Sequence, residues 1–159
     1  MAEVEVRPAE PDDAVTLGVV AQRAIRISAA PWYPAEHLET WASAFSGDLV
    51  LRALERSAML VATRNERAAG FASLLETSGG RAELSLLYVD PDFARQGVAR
   101  ELVGAVEEAA RSRAVDEIWV DASLPALAVL EGLGYQLRQR YRKEFHGLLY
   151  DNAWLSKQL

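Results

Sequence analysis

Residues 86–100 of this chain read Leu86-Leu87-Tyr88-Val89-Asp90-Pro91-Asp92-Phe93-Ala94-Arg95-Gln96-Gly97-Val98-Ala99-Arg100. An apolar strand ends near Asp90, a short loop follows, and a helix begins with small residues at Gly97 and Ala99. The first N–H groups of a helix lack partners within it, and together with the helix dipole they bind anions. Arg95 and Arg100 would add positive charge. The pattern predicts a phosphate site in this loop, although a glycine at a helix start can also serve packing alone.

The residues before this stretch predict two helices and then an antiparallel meander. A first strand covers Val4 to Arg7, and Asp12 or Asp13 begins a helix that runs to about Ser28. A second helix covers about 35–45 and carries Leu38, Trp41 and Phe45 at helical spacing. Three strands follow, at about 59–63, 68–75 and 82–89, with turns at Asn65-Glu66 and Ser78-Gly79-Gly80.

The residues after it predict a βαβ unit and two closing strands. An amphipathic helix runs from Gly97 to about Arg113, and a strand covers Glu117 to Val120. A short helix then spans Ser123 to Leu133, closed by Gly134, and the last strands cover about 135–141 and 150–157. The predicted order is β-α-α-β-β-β-α-β-α-β-β. We expect an α/β (α+β) fold: a mixed, mostly antiparallel central sheet flanked by helices, in a single domain over residues 1–159.

Composition narrows the class of protein. The chain has 159 residues, 50% of them apolar and 25% charged, with a net charge of −6. No apolar stretch reaches the roughly 20 residues that a bilayer requires, and the acidic N-terminus is unlike a secretory signal, so we expect a cytoplasmic protein without membrane association. The negative charge disfavours nucleic acid as a partner and would suit a small cationic acceptor better.

The supply of reactive side chains excludes several chemistries. There is no cysteine, which rules out a thiol nucleophile and a thiolate metal site. The two histidines, His37 and His146, are expected to be exposed helix and turn residues, and they poorly supply a Ser-His-Asp triad or a multi-histidine site. We therefore predict no metal.

The loop at residues 94–99 resembles motif A of the GNAT family (GCN5-related N-acetyltransferases), Gln/Arg-x-x-Gly-x-Gly/Ala, which holds the pyrophosphate of acetyl-CoA. The resemblance extends over nearly the whole chain. It includes Val6-Arg7-Pro8-Ala9 followed by Asp13, then Gly70-Phe71-Ala72, and finally Ser123, Ala126 and Gly134-Tyr135. Tyr33-Pro34 with Trp41 is similar to a bacterial subgroup of acetyltransferases of this size.

The resemblance implies an acetyl-CoA-dependent N-acetyltransferase that acts on an unspecified amine, with a possible homodimer. The cofactor-binding residues carried over from the family are Leu87, Val89, Arg95, Gln96, Gly97, Val98, Ala99, Arg100 and Ser123. Two positions depart from the family pattern. Ala94 stands where the family prefers Gln or Arg, and Leu130 stands where many members have a tyrosine that protonates the leaving thiolate.

Glu83 and Tyr88 are the catalytic candidates. In histone-acetyltransferase relatives a glutamate at the position of Glu83 is the general base, and an ammonium must lose a proton before it can attack. The alternative is a solvent-facing strand charge. Tyr88 lies in the strand that splays beside the thioester in the family, and its alternative role is packing. Glu76 is a weaker candidate for the base, and Tyr135 for the acid.

Three aromatic residues are candidates for the acceptor side. Trp32, Tyr33 and Trp41 lie in the region that resembles the family's acceptor wall, where aromatic rings could line a pocket for an amine or its apolar tail. A core role is the alternative for each. Tyr141 is expected to be half-exposed, and Glu107 and Glu108 to lie on a solvated helix face.

Two other functions remain to be weighed. A sensor or regulatory module that binds acyl-CoA without catalysis would explain Ala94 and Leu130. A dinucleotide-binding enzyme is excluded, because Gly-x-Gly-x-x-Gly is absent and the glycine turn follows an antiparallel meander instead of a first strand. Thiol release from acetyl-CoA in the presence of amines separates the first two functions.

Overall fold

The computed structural model describes residues 3–159, which form a seven-stranded sheet with helices packed on both faces. The strands are β1 Glu5–Pro8, β2 Ala58–Arg64, β3 Arg67–Glu76, β4 Arg81–Val89, β5 Glu117–Ser123, β6 Gln136–Phe145 and β7 Leu148–Gln158. The helices are α1 Ala14–Arg23, α2 Ala35–Ser43, α3 Gly47–Arg56, α4 Val98–Ser112 and α5 Leu124–Gly132. None of these helices is both long and apolar enough to cross a membrane.

The strands lie in the order β1-β2-β3-β4-β5-β7-β6. Among the described strands, β4 and β5 pair in parallel and every other neighbouring pair is antiparallel. The prediction of a mixed, mostly antiparallel sheet flanked by helices is therefore confirmed. The parallel strands β4 and β5 are connected by α4 and together with it form a βαβ unit.

The two faces of the sheet are covered by different helices. One core joins α4 and α5 to the sheet through fully buried Leu102, Ile118 and Leu155. The other joins α1, α2 and α3 to the first half of the sheet through Leu17 and Phe71. At about 0.8 kcal/mol for each buried methylene, such side chains supply most of the stabilisation of the fold.

Helix α3 corrects the predicted order, which has no element at this place. The hydroxyl of Ser46 accepts a hydrogen bond from the N–H of Leu49 (3.2 Å), an N-cap that starts the helix. Val50 is fully buried, while Asp48 and Arg52 are exposed. Polar caps and an amphipathic stripe therefore define a helix that the sequence interpretation omitted.

One predicted turn and one predicted helix end are confirmed with their geometry. Asn65 and Glu66 both have positive φ, 51° and 64°, as a tight hairpin turn requires. Gly134, with φ of 95°, ends α5: its N–H donates to the carbonyl of Glu131, and the N–H of Tyr135 donates to that of Leu130. This pair of bonds is the Schellman motif.

Candidate active site

The β4 and β5 strands separate part-way along their length. Their parallel pairing runs only from Arg81 opposite Glu117 to Glu83 opposite Trp119. At the same point the β3–β4 register shifts, which leaves Ser85 as an extra residue in β4. The bulge bends β4 away from β5, because an unpaired residue increases the local bend and twist of a strand.

The separation leaves one backbone edge of β4 facing a gap. The N–H of Asp90 donates to the carbonyl of Ala69 on the β3 side (2.8 Å). Because polar groups alternate in direction along an antiparallel strand, those of Leu87 and Val89 point away from β3 and into the gap. A ligand with amide groups could pair with this edge as an added strand would.

The loop before α4 forms a cradle of backbone N–H groups. Arg95 and Gly97 have positive φ, 61° and 82°. Within the described residues, none of the N–H groups from 95 to 100 donates to another protein group, and no side chain caps α4. A Cβ built on Gly97 would meet nothing within 4 Å. Free N–H groups at a helix start, in a loop of alternating handedness and with open space in front, fit a phosphate group.

Side chains from distant elements brace this loop. The buried carboxylate of Asp90 accepts a hydrogen bond from the N–H of Asp92 (2.9 Å) and pairs with Arg23 of α1 (3.3 Å). Arg64 of β2 holds the side chain of Gln96 by a hydrogen bond. The predicted ligand role of Gln96 therefore rests on its backbone alone, because its side chain is engaged within the protein. The side chain of Ala94 has no polar group, and the neighbouring Arg95 lines the larger of the two cavities described next.

Two cavities flank the gap. The first, the donor cavity, has a volume of about 540 Å³ and lies between β4, the start of α4 and α5. The second, the acceptor cavity, has a volume of about 310 Å³ and lies between α2, α3, β4 and the β5–β7 strands. They share the lining residues Trp41, Leu87, Tyr88, Ser123 and Ala126, which we call the junction. Of the predicted cofactor-binding residues, Gln96 lies outside the donor cavity lining.

Tyr88 occupies the junction. Its hydroxyl accepts a hydrogen bond from Nε1 of Trp41 (3.2 Å), and the rings of Phe45 and Phe71 pack against it at 5.0 and 5.7 Å. Burial raises the pKa of Tyr88, so the phenol keeps its proton at neutral pH. Among the described residues no acceptor binds that proton, which leaves it free for a ligand.

Ser123 precedes α5 at the N-cap position and also lies in the junction. Its side chain makes no capping bond. The N–H of Leu124 donates instead to the hydroxyl of Tyr33 (3.0 Å), which in turn donates to the carbonyl of Asp151 (2.9 Å). Tyr33 therefore fixes the start of α5 against β7 and leaves the hydroxyl of Ser123 available to a ligand.

Leu130 is fully buried and lines the acceptor cavity. Because its side chain is a hydrocarbon, this position supplies no hydroxyl to the cavity. Tyr135 lies away from both cavities and donates to Glu107 (3.0 Å). Glu107 corrects a prediction: it is buried and also binds Nζ of Lys157, whereas we expected a solvated helix face. Glu108 is exposed and pairs with Arg111, as expected.

Glu83 lies next to the acceptor cavity but does not line it. Its half-buried carboxylate has no hydrogen bond or ion pair among the described residues. Burial and the charge of Asp121 raise the pKa of Glu83, and Lys143 opposes this shift. Asp121 and Lys143 both line the cavity and pair with each other (2.9 Å). Glu76, the rival candidate, is exposed and paired with Arg113 (3.1 Å).

Of the three aromatic candidates for the acceptor side, two line the acceptor cavity and one does not. Tyr33 and Trp41 line the acceptor cavity, whereas Trp32 is exposed and outside it. His146 is an exposed turn residue, but His37 is half-buried against the ring of Tyr150 at 4.9 Å. Sequence analysis missed the cavity residues of the later strands, which are Asp121, Lys143, Phe145, Tyr150 and Asn152. No local signal marks them, because the sheet brings them together from separate strands.

Comparison with known proteins agrees with this geometry. A family model described as an acetyltransferase (GNAT) domain matches residues 29–151. The Escherichia coli K12 protein named uncharacterized N-acetyltransferase YafP is 27% identical over 155 residues, 98% of this chain and 96% of that protein.

Two solved structures share the fold over the whole chain. A GCN5-related N-acetyltransferase from Rhodopseudomonas palustris, titled aminotransferase class-II, is 30% identical with a TM-score of 0.90, covering 100% of this chain and 98% of that one. The PaiA N-acetyltransferase of Thermoplasma acidophilum, in complex with coenzyme A, has a TM-score of 0.82 at 18% identity, covering 99% of both chains.

Proposed function

The chain belongs to the GNAT family of N-acetyltransferases, and we propose that it transfers an acetyl group from acetyl-CoA to a primary amine by direct attack in a ternary complex. The observation that carries this proposal is the pair of cavities that meet at the junction. One begins at a cradle of free backbone N–H groups, and the other is separate from it but reaches the same residues.

The residues of the donor cavity fit acetyl-CoA. The N–H groups of residues 95–100 would hold the pyrophosphate, with Arg95 and Arg100 adding charge. The backbone of Leu87 and Val89 would pair with the amides of the pantetheine arm. The Thermoplasma acidophilum protein of the same fold was solved in complex with coenzyme A, which supports coenzyme A as the class of ligand.

The reaction would occur at the junction. Acetyl-CoA supplies a thioester carbonyl, which the nitrogen of the amine attacks, so that a C–N bond forms and the C–S bond breaks. The free backbone edge at Leu87 and Val89 would orient the carbonyl and stabilise the developing oxyanion. A base accepts the proton lost by the nitrogen, and coenzyme A leaves as its thiolate, which takes up a proton from water.

Glu83 would assist deprotonation of the acceptor through a water molecule. Its carboxylate has no partner in the part of the chain that the structure describes, and its raised pKa makes it a better base than an ordinary glutamate. Because Glu83 lies beside the cavity and not in its lining, we assign the proton transfer to an intervening water.

The departing thiolate would be stabilised by Tyr88 and Ser123, which line the junction and whose hydroxyls donate to no acceptor within residues 3–159. A buried phenol with a raised pKa transfers its proton reluctantly to a thiolate of ordinary pKa near 8.5, so Tyr88 acts by donating a hydrogen bond. These two hydroxyls would replace the tyrosine that the family places at the position of Leu130.

Gly97→Val tests the donor site. A branched side chain at positive φ strains the loop and enters the open space that the phosphates would use. We expect the affinity for CoA, measured by calorimetry, to fall at least tenfold, about 1.4 kcal/mol. Gly104→Val is the matched control, since Gly104 lies within α4 and its Cβ also meets nothing within 4 Å. Equal affinity of the two folded variants would contradict the site.

Thiol release on mixing acetyl-CoA with primary amines tests the activity. Amine-dependent release is expected. Tight binding of CoA without release by any amine would instead support the sensor function, for which the buried Leu130 at the tyrosine position is the favouring observation.

A further inference from the structure

The acceptor cavity is walled by aromatic rings from α2, β4, β6 and β7 and from the loops on either side of α2. They are Tyr33, Trp41, Phe45, Tyr88, Phe145 and Tyr150. Several meet edge to face or tilted, with centroid separations of 5.0 Å for Phe45–Tyr88, 5.8 Å for Tyr33–Trp41 and 6.3 Å for Phe145–Tyr150. Such contacts hold the rings rigidly and give the cavity a fixed shape.

The polar atoms of these rings are largely engaged within the protein. The hydroxyl of Tyr33 binds β7 and α5, and Nε1 of Trp41 binds Tyr88. The hydroxyl of Tyr150 donates to the carbonyl of His37 (2.8 Å). The wall therefore offers mainly carbon to an acceptor, except for the free proton of Tyr88 at the junction.

The charged groups that line the cavity neutralise one another. The carboxylate of Asp121 accepts hydrogen bonds from Tyr141 (2.7 Å), Lys143 (2.9 Å) and Asn152 (3.1 Å). Its side chain is only 11% exposed, so a second cation has little access to it. The ammonium of Lys143 is bound to Asp121, which balances its charge, while its side chain is 46% exposed. A second ammonium on the acceptor would find no other carboxylate in the lining, and a carboxylate would meet a lysine whose charge Asp121 already balances.

We propose that the acceptor is a primary amine on an apolar, ring-sized body without a second charge, of the arylalkylamine class. This inference rests on the proposed function and narrows its substrate. The volume of about 310 Å³, part of which the acetyl group occupies, accommodates one ring on a short arm. Apolar rings favour such a body by its burial, and an unpaired second charge would lose its hydration without compensation.

Two matched pairs of amines test the class by thiol release with acetyl-CoA. Hexan-1-amine and pentane-1,5-diamine have equal length but differ by a terminal ammonium. The compounds 2-phenylethylamine and phenylalanine differ by a carboxylate. We expect kcat/KM to be at least about tenfold higher for hexan-1-amine and for 2-phenylethylamine than for their partners that carry a second charge. Along the series from propan-1-amine to hexan-1-amine, kcat/KM should rise about fourfold for each added methylene.

Leu49→Glu tests whether the cavity itself sets this preference. Leu49 of α3 is half-buried and lines the cavity, away from the junction. A carboxylate there should lower the preference for hexan-1-amine over pentane-1,5-diamine at least about fivefold, because the distal ammonium gains a partner. Leu49→Gln, which adds a polar group of the same size without charge, should leave the preference nearly unchanged.

The outcomes separate the two proposals. Faster turnover of the diamine or of phenylalanine, with robust thiol release, would overturn the acceptor class while leaving the acetyltransferase function intact. An equal change in preference for the Glu and Gln variants would also contradict the assigned cavity. Binding of CoA with no release by any of these amines would instead count against the proposed function itself.

Discussion

Glu83 is half-buried, and no donor from residues 3–159 binds its carboxylate. A half-buried acid in this state costs free energy in its charged form, and the nearby Asp121 adds to that cost. Nothing in the packing requires an acid here, since Ala82 and Leu84 on the opposite face of β4 make the core contacts. Because the charged form of Glu83 is destabilised and the packing does not need it, a role as a catalytic base best explains a carboxylate at this position.

Glu83→Gln keeps the shape of the side chain and removes its basicity. We expect kcat to fall about 10²–10⁴-fold near neutral pH while the affinity for acetyl-CoA stays near wild type. Since the pKa of Glu83 is raised, wild-type activity should increase with pH through a value above that of an ordinary glutamate, as the carboxylate form becomes populated. The deficit of the variant should shrink at high pH, where more amine arrives neutral.

Glu76→Gln is the matched control, because Glu76 lies at the end of β3 and pairs with Arg113 away from both cavities. It should leave the pH profile of kcat unchanged. If Glu83→Gln retains nearly full kcat over the whole pH range, Glu83 is only a strand charge, and solvent accepts the proton.

Glu83 and Glu107 show when the role of an individual acidic residue can be predicted from the sequence and when it cannot. The position of Glu83 is marked by its resemblance to the family and by its spacing to Val89. Glu107 has no such mark: its partner Lys157 is 50 positions away, and helical spacing alone suggests a solvated face. The structure shows the carboxylate buried between Lys157 and Tyr135 instead. A long-range ion pair leaves no local pattern, so the prediction for Glu107 was wrong.

At the scale of elements, periodicity and turn chemistry predicted most of the fold. Gly134 was expected to close α5 and does so. The helix predicted from Asp12 or Asp13 to Ser28 is α1 followed by a π-helical turn, Ala24–Ser28, whose Ala24, Ile25 and Ser28 line the donor cavity. Hydrophobic period cannot distinguish a π turn from an α turn, and such turns often occur at functional sites.

Tyr33→Phe tests the link between α5 and the acceptor wall. The ring remains, but the N–H of Leu124 loses its partner and the carbonyl of Asp151 loses a donor. We expect the free energy of unfolding, from urea titration, to fall by about 1–3 kcal/mol. The value of kcat should fall as well, because the start of α5 carries Ser123 in the junction.

Tyr150→Phe is the comparison for this change. It removes a single hydroxyl contact, to the carbonyl of His37, on the same wall. The loss of stability should be smaller, and kcat should change less. If both variants lose stability and activity equally, Tyr33 has no special part in positioning α5.

At the scale of the whole molecule, the site lies where β4 and β5 of the central sheet stop pairing and separate. The bulge at Ser85 ends the β4–β5 pairing, and the two helical layers then leave one cavity on each side of the opening. Sequence predicted all seven strands of the described chain in their chain order and the glycine-containing loop before α4, because these follow local rules. It could not predict the acceptor cavity, whose walls come from α2, α3, β6 and β7 and depend on the sheet order.

This arrangement determines the expected kinetic mechanism. The donor and acceptor cavities meet at the five residues of the junction, which include Tyr88 and Ser123, and their linings are otherwise separate, so both substrates can be bound at once. A covalent acetyl-enzyme would need a nucleophile. The chain has no cysteine, and the hydroxyl of Ser123 has no base bound to it among the described residues. Transfer should therefore be direct.

Initial-rate measurements with both substrates varied should give intersecting double-reciprocal plots, the pattern of a ternary complex. Protein mixed with acetyl-CoA alone should show no added acetyl group by mass spectrometry after brief incubation. Ser123→Ala should keep the intersecting pattern while lowering kcat, since we propose that the hydroxyl assists the departing thiolate without itself being acylated. Parallel lines, or an acetyl group trapped on Ser123, would require a covalent route and would displace direct attack as the mechanism.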